Sequence, residues 1–561
     1  MISILANTNS QSQAMSGCRE RRRCVEMRQN LLLLLFIGLL AAHMIAPPCA
    51  AASGSAPKST VTADHGKFEQ LKGPFADGPA VTRACLGCHT EAGKQLIKTT
   101  HWTWGFENAV TGQRLGKKNV VNNFCVATAT NWPRCTSCHI GYGWKDDQYD
   151  LTAEDHVDCL VCHDTTGTYR KFPTGAGHPN YTAKEWPPKS GKIWAPPDLA
   201  NIAQHVGPPS RDNCGSCHFY GGGGDGVKHG HLDSSMHKPT HATDVHMDND
   251  GLNFSCQTCH SAGGHEIAGS RYAPRASDST GIDIPGRTDN SRATCESCHG
   301  GTPHGPDANS KLDEHVNKIA CVTCHVPQFA RGGRKTKMWW DWSTAGRKDQ
   351  HGNPLVIKDP DGYPTYDFKK GDFRWEADVV PEYRWFNGRI NYSTLGDRID
   401  DSGVVEINRI EGDASDPASR IWPFKVMRGR QPYDRQTKVL AVPHLFGKDA
   451  DAYWKSFDWS RAIKVGLEAT GQKFSGDYGF VETEYSWPVT HMVAPKGQAL
   501  ACAACHSRDG RMAGVDGIYM PGRDRFRWMD MLGGLIVFGT VGGVALHGLG
   551  RVFSRRRRRK S

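Results

Sequence analysis

The residues best placed to do chemistry in this chain are the cysteines and histidines of a repeated pattern, Cys-x-x-Cys-His, which occurs eight times. Two thiols at this spacing can form thioether bonds to the vinyl groups of one haem, while the adjacent histidine binds the iron. A single copy would also suit a zinc site or a redox dithiol. Eight copies, each followed directly by histidine, indicate eight covalently attached haem c groups, with a zinc or disulfide array as the alternative. The motifs are Cys85/Cys88/His89, Cys135/Cys138/His139, Cys159/Cys162/His163, Cys214/Cys217/His218, Cys256/Cys259/His260, Cys295/Cys298/His299, Cys321/Cys324/His325 and Cys502/Cys505/His506.

The motifs also use up most of the cysteine. Of the 20 cysteines, all but Cys18, Cys24, Cys49 and Cys125 belong to them, so a conventional disulfide framework is nearly excluded. If a leader is cleaved after Cys49, Cys125 is the unpaired cysteine of the mature protein.

The haems also explain the composition. Hydrophobic residues make up 38% of the 561, which is low for a chain of this length. Porphyrin faces must therefore supply much of the apolar interior. We expect a mainly α fold with extensive loops, organised on eight covalent haems, with a haem-free segment of short strands and one C-terminal transmembrane helix.

The net charge lies at the two ends of the chain. Residues 1-52 hold five Arg and two Glu, and residues 551-561 hold six Arg and one Lys, which together account for the +10. Residues 53-550 hold 56 basic and 56 acidic residues. The body has no positive field that would attract nucleic acid.

Both ends contain apolar runs. Residues 1-52 have the basic, apolar and small-residue parts of a secretory signal peptide, with an uncleaved anchor as the alternative. Residues 526-550 include 20 uncharged residues, Met531 to Gly550, enough for one membrane span. The basic tail, 551-561, then belongs in the cytoplasm. We expect an inner-membrane anchor with the haem domain in the bacterial periplasm.

Between these ends we expect four segments. Residues 53-82 are a polar linker, and residues 83-330 are a heptahaem region. Residues 331-500 are haem-free and rich in aromatics, with a helix near 449-471. Residues 501-525 carry the eighth haem site.

A haem iron bound by two imidazoles can only pass electrons, so second histidines decide how many haems act as relays. Eight histidines outside the motifs are candidate second ligands, chosen mainly by their offsets from the motifs, whereas His229 and His231 are undecided. The candidates are His101, His156, His205, His246, His265, His304, His315 and His491.

Several longer stretches resemble the octahaem tetrathionate reductase family of periplasmic cytochromes c. The resemblance covers roughly residues 83-507. Its sequences are Thr100-His101-Trp102-Thr103-Trp104-Gly105, Asn122-Asn123-Phe124-Cys125, Asp158 through Asp164, Gly221 through Gly230, Asp244-Val245-His246-Met247 and Trp487 through Val493.

The resemblance implies that the second haem differs from the others. In the family a lysine replaces one histidine there, with an aspartate three residues before it and a free cysteine near the iron. The matching residues are Lys228, Asp225 and Cys125. The alternatives are a propionate partner or solvated side chain for Lys228 and a small buried hydrophobe for Cys125.

These residues suggest an oxidoreductase acting on a small inorganic sulfur or nitrogen substrate: tetrathionate, nitrite or hydroxylamine. Lys228, Asp225 and Cys125 would form its catalytic pocket. The first alternative is a pure conduit between a quinol-oxidising membrane partner and another periplasmic redox protein. The second is oxidation in the style of hydroxylamine oxidoreductase, for which the sequence offers no assignable cross-linking tyrosine.

Overall fold

A ten-stranded mixed sheet forms in the described part of the second half of the chain. The computed structural model describes residues 62-124, 127-272, 274, 294-305 and 310-558, so the expected signal peptide, residues 53-61 of the expected linker and Cys125 lie outside it. The strands are β7 Thr336–Asp341, β8 Val356–Lys358, β9 Pro364–Asp367, β10 Gly371–Glu376, β11 Glu382–Phe386, β12 Ile390–Tyr392, β13 Val405–Ile410, β14 Arg420–Asp434, β15 Val439–Leu440 and β16 Tyr478–Pro488.

Strand β14 is the centre of this sheet. It pairs antiparallel with β16 from Phe424 opposite Pro488 to Asp434 opposite Tyr478, and parallel with β7. Strands β11 and β15 also pair with it, whereas β12-β13 and β10-β9-β8 extend the sheet to either side. Most of β14 is buried, as expected for a strand covered on both faces.

The prolines of β14 lie where the strand needs only a carbonyl group. The carbonyl of Pro423 accepts a hydrogen bond from the Val489 amide at 3.0 Å, and that of Pro432 accepts one from the Ala441 amide at 2.9 Å. Gly429 allows close approach to β7, since a Cβ there would lie 2.4 Å from the Trp340 carbonyl oxygen. These three residues make the run look interrupted in sequence.

The described chain before the sheet is built from short helices and loops, and several of the helices carry a Cys-x-x-Cys-His motif or part of one. The helices of this region are α1 Gly78–Leu86, α2 Ala92–Leu96, α3 Thr100–Thr103, α4 Trp132–Cys135, α5 Leu160–His163, α6 Leu199–Gln204, α7 Arg211–His218, α8 Cys256–Cys259, α9 Glu296–His299, α10 Ser310–Val316 and α11 Cys321–His325. Two-residue hairpin strands accompany them: β1 Phe106–Glu107 with β2 Arg114–Leu115, β3 Lys184–Glu185 with β4 Ile193–Trp194, and β5 Ala262–Gly263 with β6 Glu266–Ile267.

The fold is therefore mixed, not mainly α as the sequence predicted. The expected haem-free segment contains the sheet, and its strands are longer than the predicted short runs, with 15 residues in β14. The helix expected near 449-471 is two helices, α12 Tyr453–Ser456 and α13 Trp459–Glu468. Phe457, with φ of 56°, separates them by a left-handed residue that stops the first helix.

One apolar core joins the sheet to the motif region. Buried residues from 115-124 and 320-330 pack with the aromatic side chains of β7, β11, β14 and β16. Phe386 is fully buried and lies edge-on to Trp422 and Phe424, with ring centroids 5.7 Å apart in both cases. The sheet thus positions the first-half loops that reach it.

The last helices are α14 Cys502–Cys505, in the eighth motif, and α15 Arg527–Arg558. Within Arg527–Arg555 of α15, an 18-residue window has a mean hydropathy of 1.7, and none of that window is buried. Length and composition make this segment a candidate membrane span.

We predict that Phe386→Ala destabilises the protein by about 3–5 kcal/mol, because a fully buried aromatic ring leaves a cavity when it is removed. Guanidinium unfolding followed by intrinsic fluorescence measures this change. As the control, Val356→Ala on the edge strand β8 removes a side chain that is 55% exposed, and we expect a change within about 0.5 kcal/mol. Equal unfolding midpoints for the two variants would contradict the central role of the core.

Candidate haem sites and the Lys228 region

Seven of the eight motif histidines face a second histidine among the described residues. Their ring centroids are 5.9 to 6.5 Å apart. The pairs are His65–His89, His101–His218, His163–His265, His246–His299, His260–His491, His304–His325 and His315–His506.

This spacing suits an iron ion between two imidazoles. Metal–nitrogen bonds of about 2 Å on each side would place the two ring centroids about 6 Å apart. The second ring nitrogen is often fixed as well: Nδ1 of His163, His260 and His506 lies 2.8, 2.8 and 3.0 Å from the carbonyl oxygens of Gly207, Ala268 and Pro521. Because Nδ1 donates to these oxygens, Nε2 keeps its lone pair for a metal. The residues present therefore fit bis-histidine haem c.

The pairs join segments that are distant in sequence. Each of six sequence candidates faces a motif histidine, and none faces the one nearest in sequence: His101, His246, His265, His304, His315 and His491. His315, for example, precedes the seventh motif but faces His506 of the eighth. Sequence offsets indicate that a histidine is a candidate, but not its partner.

The two remaining sequence candidates, His205 and His156, face no motif histidine among the described residues. His205 is exposed, and its Nδ1 bonds to the Asn201 carbonyl oxygen at 2.7 Å. The ring of His156 stacks on Tyr149 at 6.0 Å. The seventh second histidine is His65, which was not among the candidates. It follows Asp64, which caps a 3₁₀ turn at His65–Lys67, and its ring lies opposite His89.

Contacts between cysteines give the spatial order of the motifs. Thiol pairs within hydrogen-bond range are Cys85–Cys159, Cys138–Cys217, Cys214–Cys256 and Cys295–Cys321. Three further pairs of thiols are close enough to influence each other's charge, and they connect the first four pairs: Cys162–Cys214, Cys259–Cys298 and Cys324–Cys505. The motifs therefore run in the order one, three, four, five, six, seven, eight, with motif two beside motif four.

Five motif cysteines are exposed on the polypeptide surface: Cys88, Cys259, Cys295, Cys298 and Cys502. The Sγ of Cys88 accepts a hydrogen bond from Nε2 of Gln70 at 3.4 Å. Haem attachment at these cysteines stays a prediction from the motifs.

His139 of the second motif differs from the other seven, since no second imidazole faces it among the described residues. Its Nε2 bonds to the Trp102 carbonyl oxygen at 2.7 Å, and its Nδ1 accepts from the Gly141 amide at 3.1 Å. Trp104 and Trp144 lie edge-on to the ring. Burial lowers the pKa of His139 to about 3, so the imidazole is neutral.

An open cleft of about 410 Å³ lies beside this aromatic box. It is lined by Thr103, Gly105, Phe106, Glu107, Arg114, Lys118 and Leu151. The Leu151 carbonyl oxygen also accepts from the Trp102 indole at 2.7 Å, which joins the cleft wall to the box. Two cations and one carboxylate line this opening.

Lys228 is buried and reaches the segment that leads to Cys125. Its Nζ donates to Oδ1 of Asn122 at 2.9 Å. Asn123 in turn donates to the Met427 carbonyl oxygen on β14 at 2.7 Å. Gly222, with φ of 83°, lies against the Lys228 side chain, where a Cβ would come within 2.8 Å of Cγ. The glycine run therefore lets the loop fold back on this lysine.

Lys425 on β14 holds the backbone of the Lys228 segment by hydrogen bonds. It is 1% exposed, and its Nζ donates to the carbonyl oxygens of Val227 and Lys228 at 3.1 and 2.9 Å and to the Thr336 hydroxyl at 2.6 Å. The Thr336 hydroxyl donates to the Gly226 carbonyl oxygen at 2.6 Å. Burial lowers the pKa of Lys425 well below its usual value. Lys425 was not among the residues predicted from the sequence, because no motif surrounds it.

Asp225 has a different environment from Lys228. Its carboxylate accepts from the Ser234 amide at 2.8 Å and from the Ser234 hydroxyl at 2.5 Å, with Arg334 at 3.8 Å. The structure thus brings Lys228 to Asn122 and Asp225 to Ser234. Cys125 lies outside the described residues, but its neighbour Phe124 is held by the Trp342 indole, which donates to its carbonyl oxygen at 3.0 Å.

Comparison with known proteins places this arrangement in a family. The solved structure of octaheme cytochrome c from Shewanella oneidensis is 45% identical, with a TM-score of 0.70, and the match covers 81% of this chain and 97% of that one. The family model described as Cytochrome c bacterial matches residues 337–509. An uncharacterized protein from Archaeoglobus fulgidus is 24% identical in an alignment of 279 residues, and the match covers 42% of this chain and 91% of that protein.

These matches confirm the resemblance seen in the motifs, and they imply haem c and a redox role. This chain belongs to the octahaem cytochrome c family, that of octahaem tetrathionate reductase.

Proposed function

We propose that the protein is a membrane-tethered periplasmic octahaem cytochrome that reduces a small inorganic sulfur or nitrogen compound. Tetrathionate, nitrite and hydroxylamine form the substrate class. The carrying observation is the contrast among the motif histidines: within the described ranges seven face a second imidazole, whereas His139 faces none. A haem held at Cys135 and Cys138 is therefore the candidate reducing site.

The seven histidine pairs would hold haems that are saturated with ligands and pass electrons one at a time. The order of the motifs supports this role, since each motif contacts the next. The second motif lies beside the fourth through Cys138 and Cys217. Electrons held along the series would then be available for a reaction that needs several.

Lys228 is proposed as the axial ligand that replaces the second histidine at the second haem. An amine binds iron through its lone pair, and Asn122 orients that amine by accepting a hydrogen bond. Lys425 and Thr336 fix the backbone of residues 226-228, so the side chain starts from a defined position. Asp225 would supply protons to the substrate, and Cys125 would act on sulfur substrates by thiol exchange.

The cleft beside the His139 box supports access for a small anion. Arg114 and Lys118 line it, and they provide local positive charge in a body with equal numbers of acidic and basic residues. Anion selection would then depend on these two side chains, because no long-range field is available.

The membrane anchor is proposed to be α15. Its exposed apolar surface suits lipid, and Trp528 lies at the end nearest the haem body, where indole rings prefer the interface. The arginines from Arg555 onward would remain in the cytoplasm. Electrons would enter from a quinol-linked membrane subunit or a redox protein.

The second candidate is a pure electron conduit, which the exposed helix favours. Only about 20 residues separate His506 from the start of α15. The His506 ring bonds to Pro521 in this connection, so the eighth site is tied to the anchor. A conduit needs this link but no reducing pocket, and the Lys228 variant below separates the two candidates.

We predict that Lys228→Leu changes one haem. Loss of the amine should produce a high-spin ferric signal from one of the eight haems in electron paramagnetic resonance. Reduction of tetrathionate, nitrite or hydroxylamine should fall by about a hundredfold or more, as loss of a positioned catalytic group does. Lys337→Leu removes a second buried lysine, whose ammonium lies 3.4 Å from the Phe373 ring centroid, and should leave both readouts unchanged. An unaltered spectrum with unaltered turnover in Lys228→Leu leaves only the conduit.

We predict that His65→Met converts one bis-histidine haem to His/Met ligation. Such ligation raises the reduction potential, so one of the eight haems should titrate at a higher potential in spectroelectrochemistry. His205→Met is the matched control and should keep every potential, since His205 faces no motif histidine in the described chain. A shift in the control but not in His65→Met would contradict the pairing.

We predict that a chain ending at Arg525 loses its membrane association and keeps its haems. The full chain should stay in the membrane fraction through a high-salt wash, because α15 is held by apolar burial and not by charge. The shortened chain should appear in the soluble periplasmic fraction with eight haems per chain in a pyridine haemochrome assay. Retention of the shortened chain in membranes would assign the anchor elsewhere.

A further inference from the structure

Two neighbouring side chains on β16 bury polar groups that have no hydrogen-bond partner among the described residues. These groups are the hydroxyl of Tyr485, a residue 1% exposed, and the indole Nε1 of Trp487, a residue 4% exposed. Their rings stack with centroids 4.8 Å apart. A buried polar group without a partner costs free energy, so two of them side by side need an explanation.

Arg271 adds a charge to the same cluster. Its guanidinium carbon lies 5.0 Å from the Trp487 ring centroid and 4.5 Å from that of Tyr272. Its Nη2 donates to the Tyr272 hydroxyl, and tyrosines 392 and 485 also face this charge, but no carboxylate in the described chain pairs with it. A buried or partly buried cation normally has an anionic partner, so this one is incomplete.

The hydroxyls of Tyr392 and Tyr485 face each other, but no hydrogen bond of ordinary length joins them. The Tyr392 hydroxyl donates its hydrogen to the Arg271 carbonyl oxygen at 3.0 Å, which fixes the arginine backbone beside β16. Arginine and the tryptophan indole have donors and no acceptor, and the tyrosine hydroxyl can also donate. A ligand that satisfies all three must therefore present acceptors, and a guanidinium without a carboxylate partner favours a negative charge on that ligand.

We propose that Arg271, Tyr485 and Trp487 form a buried binding site for an anionic oxygen group, either a carboxylate or a small oxyanion. The guanidinium supplies the charge, and the phenol and indole supply two further donors. The chemistry has two sources: a propionate of a neighbouring haem, or a free oxyanion. The Trp487 ring lies edge-on to the ring of His229, the residue after Lys228, with centroids 4.8 Å apart, and the charge of Arg271 also acts on His218 of the fourth motif, so both sources are near.

The test compares three variants of the haem-loaded protein. Arg271→Leu removes the charge, and Tyr485→Phe removes only the orphan hydroxyl and keeps the stacked ring. Arg374→Leu is the matched control, because Arg374 also stacks on a tryptophan, at 5.1 Å from the Trp339 ring centroid, but is exposed on β10. Calorimetric titration with nitrite and with thiosulfate measures oxyanion binding, spectroelectrochemistry measures haem potentials, and thermal melts measure stability.

If the ligand is a free oxyanion, the wild-type protein binds one of the probes with saturation. Arg271→Leu then weakens binding at least tenfold, and Tyr485→Phe weakens it severalfold. If the ligand is a propionate, neither probe binds there, and Arg271→Leu lowers the potential of one haem, because loss of a nearby cation stabilises the ferric form. The control changes neither quantity.

The proposal is overturned if Arg271→Leu and Tyr485→Phe change neither oxyanion binding nor any haem potential. In that case Tyr485→Phe should raise the melting temperature, since it removes a buried hydroxyl that never gains a partner. The site goes beyond the proposed reduction and does not depend on Lys228. A normal spectrum in Lys228→Leu would end the reductase proposal and leave these readouts as they are.

Discussion

The buried ammonium of Lys425 is the contact on which the rest of the Lys228 region depends. Its three hydrogens meet three acceptors, the carbonyl oxygens of Val227 and Lys228 and the hydroxyl of Thr336, so every donor of the group is used. A buried charge is tolerated only when it is satisfied in this way. The central strand of the sheet therefore determines where the glycine-rich loop lies. The sheet therefore supports the segment that carries Lys228.

The paired histidines also depend on two different parts of the chain. Each motif supplies two cysteines and one imidazole within five residues, but the facing imidazole comes from another part of the fold, as His491 does for His260. Each haem would then connect two segments that are distant in sequence. Such a connection would help to hold a helix as short as α8, which has four residues and buries none of them.

The sequence predicts local chemistry better than it predicts pairing. The motifs are local, so their positions follow directly from the spacing of cysteine and histidine. His65 was not a candidate because it has no regular offset from a motif, and Lys425 was not one because its importance arises where β14 passes under residues 226-228. The mixed fold was missed for a similar reason. Pro423, Gly429 and Pro432 look like breaks, yet each is compatible with β14 through a contact that only the folded sheet provides.

The second motif requires a different explanation from the other seven, and the two nitrogens of His139 provide it. Where a ring faces another ring, as in His163, His260 and His506, a carbonyl oxygen takes Nδ1 and leaves Nε2 toward its partner. In His139 the carbonyl oxygen of Trp102 takes Nε2, and a backbone amide takes Nδ1. The polypeptide alone thus satisfies this ring completely. If a haem is held at Cys135 and Cys138, His139 would bind its iron only by giving up the contact with the Trp102 carbonyl oxygen, so Trp102 would compete with the iron for this imidazole.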